Sequence, residues 1–222
     1  QPNDPMQIKA LYYEGMSALE LFNNDAVDLL KRFIMNYPES IYKHMVHFRL
    51  GNYYYRAKDY KEALAYFNKF SAIDLEQEYR QEYFFKTGYA NFQEGNNELA
   101  RTAFSEVKDG DSQYANPALY YFSHISYEDK SYQTALDGFL KLEGDEGFGK
   151  VVPYYIIQIY YLQGKYEEVT SYAPKLENAT IVNEKDINHL IGDAYYRTGK
   201  YDEAVTHLEK FDQLAETTRD ED

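Results

Sequence analysis

The chain has 222 residues and a formal net charge of −14 at pH 7, and it contains no cysteine. Its acidic balance argues against nucleic acid or an anionic membrane surface as the main partner, because both carry negative charge. The lack of cysteine excludes disulfides and thiolate metal sites, and no run approaches the roughly 20 apolar residues that would insert into a bilayer.

A small residue recurs at a regular distance along the chain. Successive spacings are 37, 37, 35, 34 and 35 residues, at Ala26, Ala63, Ala100, Ala135, Val169 and Ala204. A second small residue precedes most of these by 11 or 12 positions, at Gly15, Gly51, Gly88, Ser123 and Gly192. A period of this length predicts six structural repeats.

Within each repeat the apolar residues follow the spacing of α-helices. Asp4 and Pro5 predict the start of the first helix, as an N-cap and a first-turn proline. Helix pairs are then predicted at 44–57 and 60–72, at 83–94 and 97–108, and at 187–198 and 201–213. Gly95, Gly164 and Gly199 stand in predicted turns, where glycine readily adopts the left-handed conformation that ends a helix.

The two recurring small residues predict close helix crossings, because bulky side chains there would push the helix axes apart. A single helix pair cannot bury its apolar faces alone. Stacking six pairs would bury a continuous core between neighbours. The predicted fold class is therefore all-α.

Two segments carry the clearest copies of the repeat: LGNYYYRAKDYKEALAYFNKF at 50–70 and IGDAYYRTGKYDEAVTHLEKF at 191–211. Their Leu-Gly, Tyr, Ala and Phe positions resemble the tetratricopeptide repeat, and the resemblance covers roughly residues 8–213. It implies a right-handed α-solenoid of about six helix-turn-helix repeats, forming a single superhelical domain over 1–222. The implied repeats lie at approximately 5–38, 41–75, 80–110, 116–143, 150–179 and 184–214.

The segment NYPES at 36–40, followed by FRLGNYYYRAKDYKEALAYF at 48–67, is similar to a bacterial cell-envelope subgroup of this family. That subgroup includes the outer-membrane assembly lipoprotein and the Tol-Pal coordinator. The similarity implies a periplasmic or cell-envelope location, with the cytoplasm as the alternative. The last repeat lacks the polar cap that usually ends a solenoid, so we expect this segment to be the N-terminal piece of a longer chain.

The fifth repeat departs from the pattern. Ile157 stands where glycine is expected and Ala173 where a large residue is expected, so the large and small positions are exchanged. Pro174 falls inside the second helix of this repeat, where proline removes a hydrogen bond and clashes with the preceding turn. The sequence therefore predicts a kink or break between Tyr172 and Pro174.

Residues 144–150 satisfy the G-x-x-x-x-G-K spacing of a phosphate-binding loop. Val151 replaces the Ser or Thr that would bind Mg²⁺, a helix precedes the loop instead of a strand, and Asp145 and Glu146 would repel phosphate. The context argues against nucleotide binding, and we predict no cofactor.

His44 and His47 are three residues apart on a predicted helix and could reach one metal ion, but no third ligand lies on the same turn. No serine has the context of a nucleophile. The carboxylates occupy predicted solvent faces. We predict neither a metal site nor a catalytic residue, and hence no enzyme.

The resemblance implies that the first helix of each pair lines a concave groove that holds a protein or an extended peptide. The first repeat offers Tyr12, Met16 and Leu19, and the sixth also offers Asp193 and Arg197. The candidate partner-binding residues are Phe48, Asn52, Tyr55, Arg56, Phe85, Tyr89, Phe92, Tyr120, His124, Tyr127, Tyr154, Gln158, Tyr161, His189 and Tyr196.

Some members of the family bind a C-terminal carboxylate with clustered Lys, Arg and Asn residues. Here Asn52, Arg56 and Arg197 are the candidates, and the two arginines lie far apart in the array. We therefore expect a groove that suits an extended, neutral or basic polypeptide.

Two interpretations of the aromatic groove positions stay open. Rigid aromatic side chains are common at binding hot spots, but they are also ordinary packing residues at these positions. The first functional hypothesis is thus a scaffold that binds a partner in the groove. The alternative is a structural spacer or assembly segment with no ligand there.

Overall fold

Polar residues at the helix starts explain where two of the helices begin. The Asp4 backbone is extended, with φ −69° and ψ 121°, and its side chain accepts a hydrogen bond from the Met6 amide at 3.0 Å. Pro5 takes the first helical position, which confirms the predicted start. Asp59 caps a later helix in the same manner, accepting from the Glu62 amide at 3.1 Å.

The computed structural model describes residues 4–176 and 180–219, and within these ranges it contains twelve α-helices and no strand. The helices are α1 Pro5–Glu20, α2 Ala26–Asn36, α3 Lys43–Arg56, α4 Tyr60–Phe67, α5 Gln77–Gln93, α6 Asn97–Ser105, α7 Ala115–Glu128, α8 Tyr132–Lys141, α9 Val152–Leu162, α10 Tyr166–Tyr172, α11 Glu184–Arg197 and α12 Tyr201–Arg219. They form six helix-turn-helix pairs, so the predicted fold class is confirmed. No helix in the described ranges is long and apolar enough to cross a membrane.

Three helix ends differ from the predicted bounds by five or six residues. Helix α4 ends at Phe67 instead of residue 72, and a separate 3₁₀ turn follows at Ala72–Asp74. Helix α5 begins at Gln77 instead of residue 83. Its polar first turns are stabilised by residues that precede the helix, because the Arg80 Nε donates a hydrogen bond to the Leu75 carbonyl at 3.1 Å. Helix α12 continues to Arg219, beyond the predicted residue 213.

The turn inside each of these helix pairs contains one residue with positive φ. Glycine supplies it in three pairs, as predicted: Gly95 (77°), Gly164 (68°) and Gly199 (78°). In the other three pairs a residue with a side chain takes the same conformation: Phe22 (57°), Lys58 (59°) and Lys130 (59°). These three positions carry backbone strain that glycine would avoid.

The chain divides into two compact units, residues 1–118 and 119–222. In the first unit α3 packs against α2, α4 and α5. One buried cluster surrounds Leu30 and Leu50, and a second surrounds Phe48 and Phe67. The continuous superhelical domain over 1–222 stays a prediction.

Helix crossings in the first unit depend on glycine. A Cβ atom on Gly51 would lie 2.4 Å from Cε1 of Phe67, which fills the crossing of α3 and α4. Gly15 faces Leu30 and Gly88 faces Phe104 in the same manner, at 2.7 and 2.8 Å. The predicted packing role of the recurring small residues is confirmed at these crossings.

In the second unit α9 packs against α8, α10 and α11. Helix α10 ends at Tyr172 and a 3₁₀ turn continues at Ala173–Leu176, which confirms the predicted break before Pro174. Ile157 and Ala173 are 0% and 2% exposed and belong to the same buried cluster. Exchanging the large and the small side chain has therefore kept both positions in the core.

Candidate partner-binding site

A pocket of about 260 Å³, the groove pocket, lies in the first unit between the first helices of three successive pairs. Helix α1 provides two apolar residues and Glu20, helix α3 provides three polar residues, and helix α5 closes the pocket with an ion pair. Its lining residues are Met16, Leu19, Glu20, Phe22, Arg49, Asn52, Arg56, Glu82 and Lys86. These are the helices predicted to line the groove.

The α5 side of the groove pocket is a connected polar group. The Lys86 ammonium pairs with the Glu82 carboxylate and donates to Oδ1 of Asn52 at 3.1 Å. The Asn52 amide donates in turn to Oε1 of Glu82 at 3.0 Å. Asn52 is 5% exposed, so this group joins α3 to α5 at the floor of the pocket.

Two guanidinium groups in the groove pocket are not neutralised. Arg49 and Arg56 have no ion-pair partner within residues 4–176 and 180–219, and the buried Nε of Arg49 makes no hydrogen bond there. The Arg49 guanidinium instead lies 5.2 Å from the ring centroid of Tyr79. A cation held against an aromatic ring keeps its charge available to an incoming anion.

The apolar side of the groove pocket includes a solvent-exposed aromatic ring. Phe22 is 80% exposed and has positive φ in the turn after α1. Met16 and Leu19 line the pocket from α1 and are buried themselves. An exposed aromatic ring beside unpaired cations is an arrangement that a partner could cover.

Some predicted groove residues of the first unit are part of the core. Phe48 is completely buried, with its ring 5.7 Å from that of Tyr79 and 6.3 Å from that of Phe67. The structure thus places Phe48 between helices instead of on the groove surface, because α5 begins early and covers it. Tyr12 is 9% exposed and stacks on Tyr42 with centroids 4.3 Å apart.

The other aromatic candidates in the first unit are half-buried and contact one another. The Tyr55 ring lies edge-on to Tyr89 at 5.8 Å, and the Lys86 ammonium lies 5.4 Å from its centroid. Phe85 stacks on Tyr114 at 5.4 Å, and Phe92 is half-buried on the same helix. Arg56 is exposed at the groove pocket.

Hydrogen bonds connect successive first helices in the second unit. The Tyr127 hydroxyl donates to Oε1 of Gln158 at 2.7 Å, joining α7 to α9. The Tyr161 hydroxyl donates to Oδ2 of Asp193 at 2.7 Å, joining α9 to α11. Arg197 also binds Asp193. Burial alone would raise the pKa of Asp193, but the hydrogen bonds from Tyr161 and Arg197 lower it.

Three further candidates pack within the second unit. Tyr120 stacks on Phe148 with centroids 4.6 Å apart, and burial raises the pKa of its hydroxyl. The His124 ring lies 5.5 Å from Tyr155, and Tyr154 meets the same ring at 5.5 Å. All these side chains are half-buried, so packing and partner contact both stay open for them.

The candidates of the last pair are exposed. Tyr196 is 61% exposed, and its ring lies 5.6 Å from that of Tyr201. His189 is exposed and meets Phe211 at 4.9 Å. Both side chains are accessible to a partner of the second unit.

Backbone amides of the loop at 144–150 donate hydrogen bonds within the loop itself. Oδ1 of Asp145 accepts from the amides of Gly147 and Phe148 at 2.8 and 2.9 Å, and the Gly149 amide donates to the Asp145 carbonyl at 2.8 Å. Amides that would hold a phosphate are thus occupied by the side chain and carbonyl of an acidic residue. The geometry supports the argument against nucleotide binding.

His44 and His47 have different surroundings. His44 Nδ1 lies 3.8 Å from Oδ1 of Asp74, whereas His47 packs 6.1 Å from the ring of Tyr66. Within the described parts of the chain no three His, Asp or Glu side chains could hold one metal ion.

Sequence reasoning missed Arg49, Glu82 and Lys86. Arg49 could have been found, because it precedes Asn52 by three residues and Arg56 by seven and therefore shares their helix face. Lys86 and Glu82 are four residues apart on α5. Their approach to Asn52 depends on how α5 packs on α3, which no spacing in the sequence reveals. The three cationic side chains that line the groove pocket are Arg49, Arg56 and Lys86. Arg197, the other arginine candidate for carboxylate binding, does not line this pocket.

Three segments match the tetratricopeptide repeat family: residues 9–40, 44–75 and 186–218. They correspond to the first, second and sixth helix pairs, so the chain carries tetratricopeptide repeats there. No curated protein matches the chain at a significant level of similarity.

Several solved structures share the fold. MamA AMB-1 has a TM-score of 0.61 and 16% identity, covering 78% of this chain and 92% of that one. MamA MSR-1 has a TM-score of 0.56 and 18% identity, covering 80% and 99%. PilF of Pseudomonas aeruginosa has a TM-score of 0.55 and 16% identity, covering 93% and 91%. At these identities the likeness concerns the fold.

Proposed function

We propose that this chain, which carries tetratricopeptide repeats at 9–40, 44–75 and 186–218, is a scaffold for protein–protein interaction. The proposed ligand of the first unit is an extended segment of a partner protein. It presents a carboxylate to the groove pocket between α1, α3 and α5, and an apolar side chain beside it. Stacked helix pairs commonly use such surfaces to bind polypeptides.

The observation that carries this proposal is the pair of unneutralised arginines, Arg49 and Arg56, in a pocket of an acidic chain. The Nε atom of Arg49 is buried without a hydrogen-bond partner in the described residues, which is costly unless a ligand or water satisfies it. Guanidinium groups bind carboxylates through two parallel hydrogen bonds. This replaces the expectation of a neutral or basic ligand for the first unit.

Phe22 supports a polypeptide over a small anion. An 80% exposed aromatic ring in a strained turn contributes little to folding, but it offers a flat apolar surface at the groove pocket. A partner residue next to the bound carboxylate would cover this ring. A free inorganic anion would leave it in water.

A structural role remains the second candidate for the second unit. There Tyr127 and Tyr161 already bond to the next first helix, so their polar ends serve the stack. Spacing or assembly by this unit requires no ligand. The exposed Tyr196 and His189 are the positions where a partner would contact it.

Peptide selection tests the proposal. A displayed library of random peptides is selected against the full chain, and the affinity of the best peptide is measured by fluorescence anisotropy. Arg56→Glu should weaken binding about tenfold or more, since reversing a charge replaces an attraction by a repulsion. The matched control is Lys61→Glu, because Lys61 is exposed on α4 and lies outside the groove pocket.

Equal affinities for both variants would contradict the proposed site, as would selected peptides without carboxylates. Singly substituting Tyr55, Tyr127 and Tyr161 by Ala then separates binding from packing. Weaker binding at an unchanged melting temperature indicates contact with the partner. A lower melting temperature alone indicates packing.

We also propose a bacterial cell-envelope location, supported by the likeness of 36–40 and 48–67 to envelope proteins. The cytoplasm is the alternative. Fractionation of cells that produce the natural protein tests this, with a periplasmic and a cytoplasmic marker enzyme as controls. Recovery with the cytoplasmic marker would contradict the envelope location.

A further inference from the structure

A second pocket of about 530 Å³ lies in the first unit between α2, α3 and the end of α4. It shares no lining residue with the groove pocket. None of the candidate groove residues lines it. We call it the lysine pocket after Lys31, Lys43 and Lys69, which line it together with His47.

The lining of the lysine pocket contains basic groups and no carboxylate. Glu39 is 4.0 Å from the Lys43 ammonium but is 94% exposed, so water screens this pair. Asp25 and Asp28 line a neighbouring cavity, into which Lys31 also projects. In a chain with a net charge of −14, a surface with this local excess of positive charge is unusual.

Two basic groups of the lysine pocket are open to a ligand. Lys69 is exposed, and its ammonium has no ion-pair partner among the residues that the structure describes. Nδ1 of His47 is buried and makes no hydrogen bond in that part of the chain. Buried polar atoms are normally hydrogen-bonded, so an unsatisfied one at a cavity points to a ligand.

The remaining lining is apolar. Ile34 and Met35 come from α2, Pro38 follows that helix, and Tyr66 forms the wall on α4. Met35 is 73% exposed, although it is large and apolar. A ligand that is complementary to both the basic and the apolar lining therefore carries negative charge and an apolar side chain.

We propose that the lysine pocket binds an acidic peptide segment of a protein partner, with carboxylates at the lysines and an apolar side chain on Met35 and Tyr66. This site is additional to the groove pocket and does not depend on it. Partners could engage either site separately.

The composition of the lysine pocket favours this occupant over other anions. An inorganic anion would use the lysines but leave Ile34, Met35 and Tyr66 in water. Nucleic acid carries a dense charge along its length, which the acidic remainder of the chain would repel. A short peptide reaches the lysines without bringing a long polyanion to the surface.

His47 provides a spectroscopic readout. Burial lowers its pKa, and the charges of Lys69, His44 and Lys43 lower it further. The other charged groups around the pocket are Lys31 on α2, Glu39 beside Lys43, Glu62 on α4, and Asp74 beside His44. A carboxylate bound at the lysines would oppose those positive charges, so the pKa of His47 should rise on binding.

The experiment uses a fluorescein-labelled peptide in which Glu and Leu alternate, blocked at both ends, and measures its anisotropy with the full chain. A peptide with Gln in place of Glu is the first control. Lys69→Glu should weaken binding about tenfold, and Lys69→Gln serves if that variant does not fold. Lys61→Glu, on the exposed side of α4, should leave binding unchanged.

Binding that weakens with salt, fails in the Lys69 variants and raises the pKa of His47 in NMR titrations supports the proposal. Equal affinity for the Gln peptide would overturn the proposal. Displacement of the Glu peptide by inorganic phosphate, added at the same concentration as the carboxylate groups of the peptide, would also overturn it. Loss of binding in Arg56→Glu but not in Lys69→Glu would assign the peptide to the groove pocket and overturn the second site. Salt-dependent self-association without peptide binding would also overturn it.

Discussion

The Tyr161 hydroxyl donates a hydrogen bond to Oδ2 of Asp193 across the interface of α9 and α11. Two similar bonds join other successive first helices, from Tyr127 to Gln158 at 2.7 Å and from Asn52 to Glu82 at 3.0 Å. Each joins residues 30 to 32 positions apart in the chain. Tyr127, Tyr161 and Asn52 thus provide lateral hydrogen bonds between repeats.

Tyr161→Phe tests the contribution of this bond. Removing the hydroxyl leaves Asp193 with Arg197 as its side-chain partner, and a hydrogen bond to a partly solvated carboxylate contributes about 1 kcal/mol. We expect the free energy of unfolding in urea to fall by that amount. Tyr196→Phe is the control, because Tyr196 is 61% exposed. Equal losses for both variants would contradict a specific role of the Tyr161–Asp193 bond.

Lys130→Gly should stabilise the second unit. Lys130 has φ 59°, a conformation that costs a residue with a side chain about 1 kcal/mol more than glycine. The more flexible unfolded state of the glycine variant offsets part of this gain, so the net effect should be below about 1 kcal/mol. Thermal and urea unfolding would measure it.

The reciprocal control lies in the turn of the next helix pair and is Gly164→Ala. Gly164 has φ 68°, and a Cβ atom there would meet no heavy atom within 4 Å, so backbone strain alone should destabilise the variant. If both substitutions shift stability in the same direction, strain at the turns is not the cause.

Gly51→Ala should destabilise the first unit by about 1 to 3 kcal/mol. The new methyl group would lie 2.4 Å from the Phe67 ring, so the ring or the helices must move. The double variant Gly51→Ala with Phe67→Leu should recover part of the loss, since a smaller side chain makes room. Denaturant unfolding of the two single variants and the double variant measures the coupling. Strict additivity would show that the crossing is not where the cost arises.

We expect protonation of His47 to lower the stability of the folded chain at acidic pH. Because its pKa is lower in the folded chain than its ordinary value of 6.5, the unfolded chain binds a proton more readily. The contribution of neutral His47 is therefore present above about pH 6.5 and is lost as the pH falls through the lowered pKa. The difference in unfolding free energy between the native chain and His47→Gln should shrink from about pH 8 to about pH 5. A constant difference would contradict the lowered pKa.

Helix type and helix pairing could be predicted from sequence because they depend on local signals. The Asp4–Pro5 start, the glycine turns and the break before Pro174 each follow from one or two residues. Helix ends in polar stretches could not be predicted so well. Residues 77–82 lack a helical apolar pattern, and α5 begins there because Arg80 and Tyr79 find partners outside their own helix.

The candidate site was predictable only in part. Asn52 and Arg56 line a pocket between α1, α3 and α5, which are predicted groove helices, and binding of a partner there stays a prediction. Phe48 was misplaced, because its burial depends on a neighbouring helix that was predicted too short. Arg49 and Lys86 line the same pocket although they are 37 positions apart in the chain, and neither residue follows a motif.

The exchange of Ile157 and Ala173 restricts how such a crossing can change by single substitutions. The neighbouring pairs have a small residue on the first helix and a large one on the second. Reaching the exchanged arrangement takes two substitutions, and whichever occurs first gives an unfavourable intermediate. Two large side chains would overfill the space, and two small ones would leave it hollow, each at a cost of about 1 to 5 kcal/mol. The fifth pair therefore occupies an arrangement separated from that of its neighbours by a stability barrier.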